Sequence, residues 1–154
     1  MRIIKNRKIV RTEWLPDTGA AEPGRAHRRI LALDEWLEAV PAQASNGQVL
    51  DLSGVLLEPG DDLEALGEWI GDIPVIAINA ENFADGRIYS LAFELRRFYR
   101  YQGEIRGIGA IFDNLSMMEQ CGFDAFALKP GLAPEEAMPY FTEIESGYPF
   151  VGNQ

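Results

Sequence analysis

Asn79, Glu81, Asp85, Arg87, Asp113 and Lys129 are the side chains best placed to do chemistry. Each falls at the end of an expected strand or at the start of the helix that follows it. Ligands of α/β proteins bind there, beyond the carboxyl ends of parallel strands. Arg87 stands in a first helical turn, where free backbone N–H groups and the positive end of the helix dipole both favour an anion. The chemistry expected is a small anionic ligand held by Arg87 and Lys129, with Asp113 or Glu81 as acid or base. A plainer reading stands beside it: Asp85 and Asp113 cap helices, Glu58 is solvated, and Arg87 pairs with a neighbouring carboxylate.

Sharper catalytic signatures are absent. No GxxxxGK[ST] loop occurs, and Phe112 occupies the place of the third glycine after Gly107-Ile108-Gly109, so the dinucleotide pattern fails. His27 is the only histidine and Cys121 the only cysteine, too few for a zinc site, a His-based triad or an iron–sulfur cluster. Cys121, at the expected end of a helix beside Gly122, is read as a small buried hydrophobe. No metal and no cofactor of the chain's own is expected, so any redox chemistry would be borrowed.

The formal net charge is −10 over 154 residues. Residues 1–30 carry +5, and the remainder carries −15. So acidic a body repels nucleic acid and anionic membrane alike, and neither is an expected partner. The basic start lacks the apolar run of a signal peptide, no stretch reaches 18 apolar residues, and a lone cysteine suits a reducing compartment. Cytoplasm is the expected location. The basic start is read as an arm that docks on an acidic surface, its own or a partner's.

Tyr89, Phe93, Phe98, Tyr99 and Tyr101 lie along the longest expected helix among Arg96, Arg97 and Arg100, and Tyr89, Phe93, Arg97 and Tyr101 are taken as its anchors. Tyrosine and arginine are favoured interface anchors, so these four define a candidate protein–protein face; core packing with solvated arginines is the bland alternative. A homodimer, for example by pairing of two half-barrels, is one way to use such a face.

The elements that must position these residues follow from pattern. Ile3-Ile4 and Ile9-Val10 flank Asn6-Arg7 as a β-hairpin, giving an arm over 1–15 and a loop over 16–29. A single α/β domain then spans 30–146, with a tail over 147–154. Ile30–Leu33 is a strand, and Asp34 caps a helix that ends at Pro41. Val49–Leu57 is a strand; Asp61 and Glu64 form a capping box for a helix to Ile70; Pro74–Ile78 is a buried strand. Asp85 opens a helix over 86–101 that turns Ile88, Leu91, Ala92, Leu95 and Tyr99 to the sheet. Ile105–Ile111, a helix over 114–121 capped by Asp113, Ala125–Leu128, and a helix from Pro134 to Ile144 complete the chain. Four βα units imply parallel strands, arranged as an open sheet or as half of a (βα)8 barrel.

Phe83-Ala84-Asp85-Gly86-Arg87-Ile88-Tyr89-Ser90, Leu95-Arg96, Gly103-Glu104-Ile105-Arg106, Asp113-Asn114-Leu115 and Cys121-Gly122-Phe123-Asp124 together resemble a bacterial family known as domain of unknown function 934. The resemblance covers residues 54–128 well. Members of that family are often encoded beside assimilatory sulfite reductase, so the resemblance implies an accessory role in sulfur assimilation, with sulfite reductase or another protein of that pathway as partner. The other reading is a small enzyme or binding protein for an anionic metabolite. Two departures bear on that second reading: Gly109-Ala110-Ile111 stands for the family's Gly-Asp-Val, and Glu81-Asn82 for its Pro-Lys.

Overall fold

The computed structural model describes residues 1–16, 28–45 and 52–142. Strands β1 (Arg2–Lys5) and β2 (Lys8–Arg11) pair antiparallel across Asn6 and Arg7, both at positive φ. Strands β3 (Trp14–Pro16), β4 (Arg28–Ala32), β5 (Gly54–Leu57), β6 (Val75–Asn79), β7 (Glu104–Ala110) and β8 (Ala125–Leu128) pair parallel, each with the next. β1 lies antiparallel on the outer edge of β8. The sheet order is β2-β1-β8-β7-β6-β5-β4-β3.

This order forces the sheet to curl. β2 and β3 occupy opposite edges, yet only Thr12 and Glu13 separate them in the chain. Laid flat, seven strand spacings would part those edges by about 34 Å. The three peptide steps from Arg11 to Trp14 reach at most about 11 Å. The molecule is therefore a mixed α/β protein on an eight-stranded sheet curled into a half-barrel.

Strand alternation gives the sheet two faces. Ile4, Val55, Leu57, Ile76, Ile78, Ile105 and Phe126 form the outer face, buried against helices α1 (Leu33–Ser45), α2 (Arg87–Arg97), α3 (Leu115–Cys121) and α4 (Met138–Thr142). Each large aliphatic side chain sealed there contributes about 1.5–3 kcal/mol. Ile3, Ile30, Val75, Ala77, Ala125 and Ala127 form the inner face. In α2 the expected set Ile88, Leu91, Ala92 and Leu95 is the buried stripe.

Several elements differ from expectation. α1 runs through Pro41 to Ser45, carried by the helix formers Ala42 and Ala44. The helix expected over 61–70 is two 3-10 turns, Leu63–Ala65 and Gly67–Asp72, because Gly67 at φ +50° interrupts it; its cap is Asp62, whose carboxylate accepts from Glu64 N. Asp113 is no cap: it lies within a 3-10 turn, Phe112–Asn114, and α3 starts without a side-chain cap. α2 ends at Arg97, and Arg100 at φ +54° then reverses the chain, so Tyr99 is exposed while Tyr101 enters the core. Trp14–Pro16 is a strand where a loop was expected to begin. Pro134 opens a 3-10 turn, followed by α4. His27, most of the 16–29 loop, the end of the last helix and the tail lie outside the described residues.

Candidate functional site

Parallel β4–β8 bring their carboxyl ends to one end of the sheet, and there the expected polar residues arrive. By alternation Glu58, Asn79 and Lys129 follow Leu56, Ala77 and Ala127 on the inner side. Asn79 is held at both ends of its amide: Nδ2 donates to Glu58 Oε1 at 2.9 Å, and Oδ1 accepts from Glu81 N at 3.0 Å. Asp61 accepts from Glu58 N at 2.7 Å. Glu81 lies against the end of β7, so closely that a Cβ on Gly109 (φ +84°) would stand 2.5 Å from its Cγ. A cavity of about 240 Å³ opens beside these groups, lined by Leu33, Leu37 and Leu56 and by Asp34, Glu58 and Asp61. Its charge is acidic, which opposes an anionic ligand.

Arg87 is already engaged. Its Nε donates to Asp85 at 3.0 and 3.2 Å and its Nη2 at 2.7 Å, while Asp85 Oδ1 also accepts from Arg87 N at 3.0 Å. The cap position of α2 is Gly86 and not Asp85 as expected; Asp85, one residue earlier, takes the Arg87 backbone N–H and its guanidinium. The arginine's side-chain hydrogen bonds hold the Asp85 carboxyl down at about 2 and push Arg87 upward. Lys129 and Asp113 are exposed, and among the described residues nothing joins either of them to Arg87. The end of the sheet thus carries the expected residues, of which Asn79 is bonded to Glu58 and Glu81, and Arg87 to Asp85.

The outer face of α2 differs in character. Phe93 is 44% exposed and Phe98, just past the helix, is 73% exposed. Their rings meet edge to face at 6.3 Å and 77°. The Arg97 guanidinium lies 5.5 Å from the Phe93 centroid, within cation–π range. With Tyr89, Ser90, Glu94 and Cys121 these rings line an open groove of about 340 Å³. Tyr89 is half-buried and its hydroxyl accepts from Asn114 Nδ2 at 2.8 Å; burial raises its pKa. Burial likewise raises the pKa of the half-buried Cys121 thiol, which keeps it protonated and unreactive.

One correction belongs to this face. Tyr101 is not on it: the residue is 2% exposed, and its hydroxyl donates to Ile73 O at 2.7 Å. Phe98, one of the aromatics that the sequence places along this stretch, belongs to it, just past the end of the helix. Arg96, one of the interleaved arginines, is structural: it donates to Gly122 O at 3.0 Å and to Tyr101 O and Gly103 O at 2.8 Å, and pairs with Asp124 at 3.3 Å. Burial lowers the Arg96 pKa and raises that of Asp124.

Among the described residues no group of three or more His, Cys, Asp or Glu could hold a metal ion, and no helix is long and apolar enough to cross a membrane. A half-barrel α/β scaffold with an exposed aromatic helix face is the class of protein that these features define. The chain belongs to the family described as bacterial protein of unknown function (DUF934), whose model matches residues 54–152. Comparisons with curated proteins and with solved structures gave no match.

Proposed function

We propose that this protein is a cytoplasmic accessory of assimilatory sulfite reduction, acting through protein contacts and not through a cofactor of its own. The observation that carries the contact is the groove of about 340 Å³ between Phe93 and Phe98. Large apolar rings left in water on one helix face mark interaction surfaces, and an arginine stacked on one of them is a favoured anchor. Arg97 and Arg100 are two of only six cations beyond residue 30, so this end of α2 is a basic spot on an acidic stretch of the chain. A partner that presents carboxylates around an apolar anchor would complement it. The tie to sulfite reduction rests on what the resemblance to the family implies.

A homodimer through the same groove is the competing use of the face. Binding of an anionic metabolite at the sheet end is less favoured, because Asp85 occupies Arg87 and Glu58, Asp61 and Glu81 crowd the approach. Deletion of the gene tests the pathway: growth on sulfate should fail and cysteine should rescue it, whereas unchanged growth on sulfate contradicts the role. Sedimentation of the purified chain separates monomer from dimer.

A further inference from the structure

The inner face of the sheet holds a buried ion pair that takes no part in the α2 groove. Glu104 and Arg106 both lie on β7, and Arg106 is 1% exposed. Its register partners on the flanking strands are Ala77 and Ala125, small residues that leave room for a guanidinium. Nε donates to Glu104 Oε2 at 2.6 Å, Nη1 to Trp14 O at 2.9 Å and Nη2 to Thr12 Oγ1 at 2.8 Å. Lys5 Nζ lies 3.1 Å from Glu104 Oε1. One arginine thus spans the half-barrel, from β7 in the middle of the sheet to the short link that joins its two edges.

Among the described residues the other ties of the link and β3 lie near the sheet edge: Glu13 pairs with Arg28 at 3.5 Å, and Trp14 packs on the inner cluster of Ile30, Val75 and Ala77. β3 forms three register pairs, all with β4, whereas β6 and β7 form five. Thr12 N donates to Met1 O at 3.0 Å, and Arg28 lies over the Trp14 ring at 5.5 Å. The preceding hairpin is anchored differently, by full burial of Ile3 and Ile4. The hairpin can therefore stay docked while the link and β3 move.

We propose that residues 12–16 are a strap that closes the curled sheet and that Arg106 is the latch holding it. A planar fork with several donors can serve Thr12, Trp14 and Glu104 together; an ammonium cannot match that geometry.

Hydrogen exchange by mass spectrometry on the full chain tests the latch, with R106K, T12V and T12S compared to wild type. Amides of the 12–16 peptide should exchange at least tenfold faster in R106K and measurably faster in T12V, stay at the wild-type rate in T12S, and β6 and β7 should be unchanged throughout. Wild-type rates for 12–16 in R106K and T12V, or acceleration only together with β6 and β7, overturn the proposal. If R106K does not fold, the contrast between T12V and T12S decides.

Discussion

The Arg97 guanidinium sits 5.5 Å above the ring of Phe93, four residues earlier on the same exposed helix face. A cation–π contact at such a site is worth about 0.5–1 kcal/mol; Phe93, 44% exposed, also gives up buried area when replaced, whereas Phe98, 73% exposed, gives up little. Phe98→Ser should therefore change unfolding free energy by about 0.5 kcal/mol in urea titrations, and Phe93→Ser by about 1–2 kcal/mol. A loss of several kcal/mol in either variant would show that these rings belong to the core and not to a contact face.

The Asp85–Arg87 pair makes a pH prediction. Asp85 titrates at about 2 in the folded chain, below its ordinary 3.8. A carboxyl lowered by folding stabilises above its unfolded pKa, and that contribution is lost as pH falls through about 2. Carboxyl-carbon NMR should place the Asp85 midpoint near 2 in wild type and return it toward 3.8 in Arg87→Gln. Because Arg87 is taken, sulfate or phosphate should give no thermal shift; a shift abolished by Arg87→Gln would favour the anion-binding reading.

Tyr101 fills the core, and its hydroxyl serves Ile73 O. Tyr101→Phe should cost about 1–2 kcal/mol, since a buried carbonyl loses its donor, which lowers Tm by about 2–8 °C at this size. Burial pushes the phenol upward from 10.0. An acid raised by folding stabilises below its unfolded pKa and loses that stabilisation as pH rises past it. Absorbance at alkaline pH should thus show Tyr101 ionising only with unfolding.

Gly109 has φ +84°, and a Cβ there would meet Glu81 Cγ at 2.5 Å. Gly109→Ala should destabilise the protein by about 1–3 kcal/mol through backbone strain and that clash. Calorimetry on Gly109→Ala with Glu81→Ala separates the two causes: removing Glu81 should recover the steric share and leave the strain.

What the sequence revealed was decided by local signals. β8 is a short apolar run, α3 ends where Gly122 adopts φ +122°, and the buried stripe of α2 follows helical spacing, so all three were legible. The pairing of Arg87 with a neighbouring carboxylate was the plain alternative from the outset, and Asp85 supplies it. Features that depend on distant partners were not legible. β3 is three residues whose place is set by β4 and by an arginine 92 positions later. Tyr99 and Tyr101 exchanged roles because Arg100 turns the chain at positive φ, which nothing in residue type announces. Phe98 was legible as one of the aromatics of this stretch, but its place past the end of α2 was not.

The most direct test of the account measures binding between the purified chain and assimilatory sulfite reductase by titration calorimetry, for wild type and for the double variant F93D/F98D. The account predicts a saturable complex with wild type that the double variant loses while keeping its wild-type fold by circular dichroism. Absence of any complex with wild type, or equal binding by F93D/F98D, would contradict it.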